Sequence, residues 1–245
     1  MMQSRFVLFG AEHLVTLSII LSASILIPLI FYAVNNKMVI RNISYIFAFL
    51  LITHELVKPF YRFYFYGDPL LQIIPIHICH IAAISMGLFF IYRIQFFFEI
   101  AFFWGFTGNL AAMLTPDLAL GFPDARFITY YFSHALLLTA VMFACINLST
   151  NLKWITVLKI FIVTLIAMPI IYIINILLIR YDEGVNYWYL MKSPDVGTIL
   201  SFFPNPPMHI PYLIVAGALL FALTFLPYYL IKKSNKRKFQ SSYNF

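Results

Sequence analysis

The sequence predicts an all-α fold: a polytopic bundle of seven transmembrane helices with the N-terminus outside and the C-terminus in the cytoplasm. Three observations support this prediction: an apolar composition, seven long apolar runs, and the separation of acidic from basic loops. Of the 245 residues, 62% are hydrophobic and only 10% are charged, with a mean hydropathy of +0.89. Soluble domains have about 45–50% apolar and about 25% charged residues, so this composition excludes a water-soluble domain.

Each predicted span is an apolar run long enough to cross a membrane, which takes about 20 helical residues for a hydrocarbon core of about 30 Å. In chain order the spans are Ala11–Val34, Ile43–Tyr61, Leu70–Tyr92, Phe96–Thr115, Phe127–Asn147, Trp154–Arg180 and His209–Ile231. Charged residues, prolines or asparagines bound these runs, and Asp124 is placed to cap the fifth helix. The spans predict one transmembrane domain over residues 1–231 and a basic tail over 232–245.

The loop charges predict the orientation, because Lys and Arg next to spans favour the cytoplasmic side. With the N-terminus outside, the basic residues that fall inside are Lys37, Arg41, Arg93 and Lys153, with Lys232, Lys233, Lys236, Arg237 and Lys238 of the tail. The acidic residues that fall outside are Asp68, Asp117, Asp124, Asp182, Glu183 and Asp195. A juxtamembrane basic cluster attracts anionic lipid headgroups, which we expect as the partner of the tail rather than nucleic acid. The composition fits the bacterial cytoplasmic membrane.

Two aromatic clusters are expected at the outer membrane interface, where Tyr and Trp are enriched. One is Phe60–Tyr66, and the other is Asn186–Tyr189 in the long sixth connection. A cap over a cavity is the alternative role for the second cluster.

Polar residues inside the spans concentrate in the predicted outer half of the membrane. At a rise of about 1.5 Å per residue, five of them lie about 8–14 Å below the outer ends of their helices. They are His54, Cys79, Asn109, His134 and Asn175, and His77 and His80 flank Cys79. Polar groups facing lipid are costly, so they turn toward one another or toward a water-filled cavity. This layer predicts an outward-facing polar cavity; interhelical hydrogen bonding is the alternative reading.

Cys79 is the candidate nucleophile in this layer. A thiol needs a nearby base or cation to react, and imidazole is the usual partner. His80 is adjacent in sequence and points elsewhere on a helix, so His134, at a comparable depth, is the better base. Simple packing of a small apolar side chain is the competing interpretation.

A metal site is the rival chemistry, because His77 and His80 share a helix face and His54 or His134 could complete a set of ligands. Two histidines three residues apart are a weak signal, so we expect no metal. The sequence contains no phosphate-binding glycine loop and no dinucleotide or zinc-protease motif, and we expect no cofactor.

An ordered set of motifs resembles one known family. The set comprises Glu12-His13-Leu14, Pro75–Cys79, Gly108-Asn109-Leu110, Leu114–Asp117, Phe122-Pro123, His134, Asn175, Asn186-Tyr187 and Lys192-Ser193-Pro194. In order and spacing it is similar to the YwaF-like family of bacterial integral membrane proteins, whose eukaryotic relatives include transmembrane protein 164. The resemblance covers most of the chain.

This resemblance implies a compact multi-helix membrane fold and lipid chemistry. The eukaryotic relative looks like a Cys/His acyltransferase that moves fatty-acyl groups between phospholipids, and its Cys and His would fall on Cys79 and His134. Bacterial relatives commonly carry Asp directly after this Cys, whereas this chain has His80.

The sequence therefore supports a working hypothesis with two alternatives. The hypothesis is a phospholipid acyltransferase or lipid hydrolase in which Cys79 and His134 act through an acyl-thioester on a phospholipid or other acyl lipid. Asn109 or Asn175 would stabilise the oxyanion, and His54, His77 and His80 are further candidates for the cavity. The alternatives are a small-solute or ion transporter or binding protein using the same cavity, and a non-catalytic membrane scaffold.

Overall fold

Seven helices run through the residues that the structure, a computed structural model, describes: 5–193 and 202–241, with side chains to 233. They are α1 (Ala11–Val34), α2 (Lys37–Tyr66), α3 (Ile78–Tyr92), α4 (Gln95–Leu114), α5 (Ala125–Asn147), α6 (Trp154–Leu178) and α7 (Ile210–Ser241). Asp195, which was predicted on the outer side, lies outside the described residues. So do the side chains of Lys236, Arg237 and Lys238, which were predicted on the cytoplasmic side. The all-α prediction is confirmed for the part of the chain that is described.

Six of these helices are long and apolar enough to cross a membrane: α1, α2, α4, α5, α6 and α7. Their positions agree with the predicted runs, although α2 begins six residues earlier than predicted and α7 continues through Lys232 and Lys233. Asp124 caps α5 as predicted, since its side chain accepts a hydrogen bond from the N–H of Arg126 at 2.9 Å.

The third helix differs from its prediction. The apolar run from Leu70 forms a short 3-10 turn and an irregular segment, and α3 begins only at Ile78. Pro75 lies in this segment, and proline disfavours helix in the residue before it. With 15 residues, α3 spans about 22 Å, less than a hydrocarbon core.

Consecutive helices alternate in direction, so the same end of the bundle carries the end of α2, the start of α3, the end of α4 and the start of α5. We call this the Cys79 end. Cross-helix contacts show the arrangement: Lys58 near the end of α2 meets His80 at the start of α3, and Asn109 of α4 meets His134 of α5. Polar residues from four helices therefore come to one level of the bundle.

The middle of the bundle is a phenylalanine-rich core that holds these helices in register. Phe90, Phe98, Phe102 and Phe143 are almost fully buried in it. Gly108 lets α4 approach α3, because a Cβ at that position would lie 2.9 Å from Cγ2 of Ile78. This close approach fixes the height of the first turn of α3 against α4.

At the opposite end of the bundle, Glu99 and Lys159 form an ion pair across α4 and α6, with Nζ and Oε2 2.5 Å apart. Glu99 is buried, and the half-exposed Lys159 supplies the counter-charge that a buried carboxylate requires.

Candidate functional site

Cys79 lies in the first turn of α3, as the second residue of the helix. No side chain caps this helix start, and the backbone N–H groups of Cys79 and His80 belong to the first turn, whose N–H groups have no partner within the helix. Unpaired N–H groups and the helix dipole make a helix N-terminus favourable for negative charge. The depth predicted for Cys79, which assumed a helix from Leu70, is therefore wrong, and its actual position is better suited to a nucleophile.

His134 is buried in α5 and held by its own helix. Its Nδ1 lies 2.7 Å from the carbonyl oxygen of Tyr130, and the Tyr130 ring stacks on the imidazole with centroids 4.2 Å apart. A carbonyl only accepts, so Nδ1 carries the proton and Nε2 carries a lone pair. Nε2 is buried without a hydrogen-bond partner among the described residues, so its lone pair is available to a base, but no hydrogen bond joins it to the Cys79 sulfur.

Tyr130 connects the two candidate residues, because its hydroxyl also interacts electrostatically with Cys79. Its own hydroxyl donates to the carbonyl of Ala112 at 2.7 Å, which fixes α5 against α4. The sequence analysis did not single out Tyr130. Tyr130 lies four residues before His134 and therefore on the same helix face. This spacing is the feature of the sequence from which its contact with His134 could have been predicted.

Glu55 and Lys58 are the other residues that sequence reasoning missed. Nζ of Lys58 lies 3.1 Å from Nε2 of His80, and Oε2 of Glu55 lies 3.9 Å from the same nitrogen. Glu55 is 3% exposed and His80 is 8% exposed. Both charged residues interact electrostatically with Cys79. We call Glu55, Lys58, Cys79, His80 and His134 the polar cluster.

The remaining predicted site residues lie around this cluster in different roles. His54 packs edge-on against Phe132 and interacts electrostatically with Lys58 and His134. His77 occupies the N-cap position of α3 without a capping hydrogen bond from its side chain, and its ring contacts that of His80 with centroids 5.6 Å apart.

The two asparagines proposed as oxyanion donors are already hydrogen-bonded. Nδ2 of Asn109 donates to the backbone carbonyl of His134 at 3.0 Å. Asn175 is fully buried, with Nδ2 donating to the carbonyl of Tyr187 at 2.9 Å and Oδ1 accepting from its N–H at 2.8 Å. Asn175 thus fastens the sixth connection to α6 and is not directed at the polar cluster.

The sixth connection covers the start of α3. Trp188 and Tyr189 adopt left-handed backbone angles, with φ of 59° and 53°, in a tight turn that closes from Tyr187 to Leu190. Nε1 of Trp188 donates to the carbonyl of Ile76 at 2.9 Å. Non-glycine residues in this conformation cost about 1–3 kcal/mol each and need firm support from their surroundings.

The turn from Tyr187 to Leu190, which we call the cap, is buried. It therefore does not form the interfacial belt of aromatic side chains that was expected for this cluster. Tyr187 and Trp188 are 1% and 7% exposed, whereas Tyr64 and Phe65 of the Phe60–Tyr66 cluster are 76% and 82% exposed. Burial raises the pKa of Tyr187 to about 12, so its hydroxyl stays protonated and donates to the carbonyl of Leu71. Only the first cluster has the exposure that an interfacial belt requires.

Within the described part of the chain, one surface pocket lies beside Tyr45 and Phe49 of α2 and another beside Glu99 and Lys159. Neither of these two is lined by a residue of the polar cluster. Among the described residues, no three His, Cys, Asp or Glu side chains are grouped so that they could hold a metal ion.

The apolar helices and the buried Cys/His arrangement define a multi-pass helical membrane protein with a polar cluster at one end. Comparison with known families then gives the particular assignment. The chain belongs to the TMEM164 family, whose sequence profile matches residues 8–226. The resemblance to transmembrane protein 164 is thereby confirmed, while the narrower YwaF-like grouping stays a prediction.

A distant relative is an uncharacterized protein of Treponema pallidum (strain Nichols). It is 26% identical over 155 residues, which make up 60% of this chain and 61% of the relative. The matching part therefore covers less than two thirds of the relative's length. No solved structure matches the chain.

Proposed function

We propose that this protein transfers fatty-acyl groups from a phospholipid ester, with Cys79 as nucleophile and His134 as general base. The observation that carries the proposal is the position of Cys79 in an uncapped first helical turn, combined with the free Nε2 lone pair of buried His134. Membership of the TMEM164 family supports it, because the resemblance to the eukaryotic member implies a Cys/His acyltransferase.

In the first half-reaction, the Cys79 sulfur attacks the carbonyl carbon of the ester. A free thiolate is costly in an apolar site, so Nε2 of His134 takes the thiol proton as the carbon–sulfur bond forms. The bond from the carbonyl carbon to the glycerol oxygen then breaks, and His134 returns the proton to that oxygen. The products are a lysolipid and an acyl-thioester on Cys79.

In the second half-reaction, His134 takes a proton from the hydroxyl of a second lipid, whose oxygen attacks the thioester. The carbon–sulfur bond breaks, and the proton passes to the Cys79 sulfur. Water in place of the second lipid gives a free fatty acid, so transfer and hydrolysis share one intermediate. Negative charge on the carbonyl oxygen is stabilised by the first-turn N–H groups of α3.

The same proposal includes the membrane arrangement. We take α3 as a seventh span completed by the irregular segment before it, which is tolerated at membrane depth because protein covers it. The N-terminus and the Cys79 end then face outward, and the C-terminal basic residues face anionic headgroups of the bacterial cytoplasmic membrane. A lipid of the outer leaflet reaches the cluster laterally between helices, since the cap covers it from above.

Transport of a small anion is the second candidate, because transporters also use interrupted helices whose N-termini face a substrate within the membrane. The late start of α3 at Ile78 is the observation that favours it. A transporter does not need the Cys79 sulfur as a leaving group, so chemistry at that atom separates the two functions.

The test is intact-mass analysis of the purified protein in vesicles that contain a phospholipid with a distinctive acyl chain. We expect the wild-type protein to gain the mass of that acyl group, and hydroxylamine, which cleaves thioesters, to remove it. The Cys79→Ala variant should show neither the adduct nor acyl transfer. The Cys145→Ala variant is the matched control, because Cys145 packs against the hydrophobic core and should be dispensable.

Retention of full acyl transfer by Cys79→Ala would contradict the proposal. So would an adduct that persists in Cys79→Ala and disappears in Cys145→Ala. Uptake of a small anion into proteoliposomes by both wild type and Cys79→Ser, without any adduct, would instead support transport.

A further inference from the structure

The contact between Lys58 and His80 determines which nitrogen of His80 carries its proton. The Lys58 ammonium group has three donor hydrogens and no acceptor, so at 3.1 Å from Nε2 it must donate to that nitrogen. Nε2 of His80 is then the unprotonated nitrogen of a neutral ring, and the proton is on Nδ1. A proton on Nε2 would face the ammonium group, and the next acceptor, Oε2 of Glu55, is 3.9 Å away.

The resulting Nδ1–H of His80 is an unused donor. The atom is buried and has no hydrogen-bond partner among the described residues. Leaving a buried donor unpaired costs about 1–3 kcal/mol, so such a group calls for a partner that binds there. Each of the two amide groups that sequence reasoning favoured already uses one of its hydrogens elsewhere, since Asn109 donates to His134 and Asn175 to Tyr187.

His80 also occupies the right place in the chain for this role. It directly follows Cys79 in the first turn of α3, and both residues interact electrostatically with Lys58. Its ring lies between that of His77 and the end of α2. A substrate oxygen held at the start of α3 would therefore meet the backbone N–H groups and the His80 ring from the same side of the bundle.

We infer that Lys58 is a positioning residue that holds His80 in the Nδ1–H tautomer, and that this N–H donates to the carbonyl oxygen of the acyl substrate. The second part rests on the proposed acyl transfer, whereas the tautomer does not. Both histidines then carry the proton on Nδ1 but leave different nitrogens unengaged: His134 offers its Nε2 lone pair to the nucleophile, and His80 offers its Nδ1 hydrogen to the oxyanion.

The tautomer is tested by nitrogen NMR of the full-length protein labelled with ¹⁵N-histidine in lipid nanodiscs. The His80 signals are assigned by their loss in His80→Phe. We expect a protonated Nδ1 and an unprotonated Nε2 in wild type. Lys58→Met removes the donor and leaves Glu55 as the nearest acceptor, so the proton should move to Nε2.

The role in catalysis is tested by the acyl-transfer rate of the same variants. An oxyanion donor contributes mainly to kcat, so Lys58→Met should lower kcat by about 100-fold with little change in KM. Lys58→Arg keeps a cationic donor without an acceptor and should restore both the tautomer and most of the rate. Lys37→Met removes the same charge from an exposed position of α2 and is the matched control.

A His80 proton on Nε2 in wild type, or a tautomer unchanged in Lys58→Met, would overturn the assignment whatever the activity. A tautomer that switches while kcat stays at the wild-type level would overturn the donor role. Failure of acyl transfer itself would be recognised separately, because Cys79→Ala would then equal wild type while the NMR result on Lys58 still stood.

Discussion

Two buried histidines of the polar cluster present different ring nitrogens to the site. His134 donates its Nδ1 hydrogen to the carbonyl of Tyr130, and the Nε2 lone pair of His80 accepts a hydrogen from Lys58. Each partner is fixed by a helix, so neither ring can exchange its proton without losing a buried hydrogen bond. Because both rings carry the proton on Nδ1, they differ only in the nitrogen that is left unengaged: an acceptor, Nε2, in His134 and a donor, Nδ1–H, in His80.

Asn175 provides a prediction that separates structural from catalytic asparagines. Replacement by Ala leaves the N–H of buried Tyr187 without a partner and its carbonyl with only the N–H of Leu190, which costs about 2 kcal/mol. For a chain of this size we expect Tm to fall by about 4–8 °C, measured by circular dichroism in detergent. Asn151→Ala, at an exposed position, is the control and should leave Tm unchanged.

The rate of acyl transfer at a temperature well below Tm should be unchanged in Asn175→Ala. An unchanged Tm together with a large loss of rate would show instead that Asn175 acts on the substrate.

The start of α3 is the element on which the site depends. Because the helix begins at Ile78, Cys79 falls among its unpaired N–H groups and not in a continuous hydrogen-bonded helix. Its height is set by contact with Gly108 of α4 and by Trp188, which is bonded to the carbonyl of Ile76. The start of α3 is thus held laterally by α4 and covered by the sixth connection.

Gly108→Ala tests the lateral contact. Its Cβ would lie 2.9 Å from Cγ2 of Ile78, so α3 must shift, and overpacking of this kind costs about 1–3 kcal/mol. We expect a lower Tm and slower acylation of Cys79, both restored in part by adding Ile78→Ala. The control is Gly217→Ala in α7, where a Cβ meets nothing within 4 Å.

Additive effects of Gly108→Ala and Ile78→Ala, with no restoration in the double variant, would show that the contact does not position α3. The double-mutant cycle is the appropriate measurement, because residues in contact show a coupling energy that distant residues lack.

The helices could be predicted because their signal is local: about 20 apolar residues in a row. The late start of α3 was not predicted, because the segment 70–77 is apolar like the helix that follows. Pro75 and the contacts of the segment with Tyr187 and Trp188 together explain its irregular path. Glu55 and Lys58 were likewise not predicted as residues of the site. Their contacts with His80 join residues more than 20 positions apart, which no local pattern reveals.

The whole molecule has polar residues of four helices gathered at one end and an ion pair between Glu99 and Lys159 at the other. In the described part of the chain, six helices are long and apolar enough to cross a membrane, and α3 is shorter. The proposed orientation puts the basic connections on one side and the acidic connections on the other. The polar cluster then faces the outer leaflet.

Single-cysteine labelling tests this orientation in intact cells, in a background that carries Cys79→Ala and Cys145→Ala. Glu183→Cys lies in the exposed part of the sixth connection and should react with a membrane-impermeant maleimide. Lys233→Cys, near the end of α7, should react only after the cells are permeabilised. The reverse pattern would contradict the orientation, and labelling of both in intact cells would contradict the span count.

The amino-acid sequence by itself determined that lipid surrounds the protein, that the fold is helical, and which polar residues lie at one level of the bundle. It could do so because a lipid environment imposes an apolar composition that is visible along the chain. Tertiary structure alone decided where α3 begins, which nitrogen of each histidine is engaged, and that the aromatic turn at Trp188 covers the start of α3. These features depend on single hydrogen bonds between distant segments, and the direction of such a bond is set only when the helices have packed.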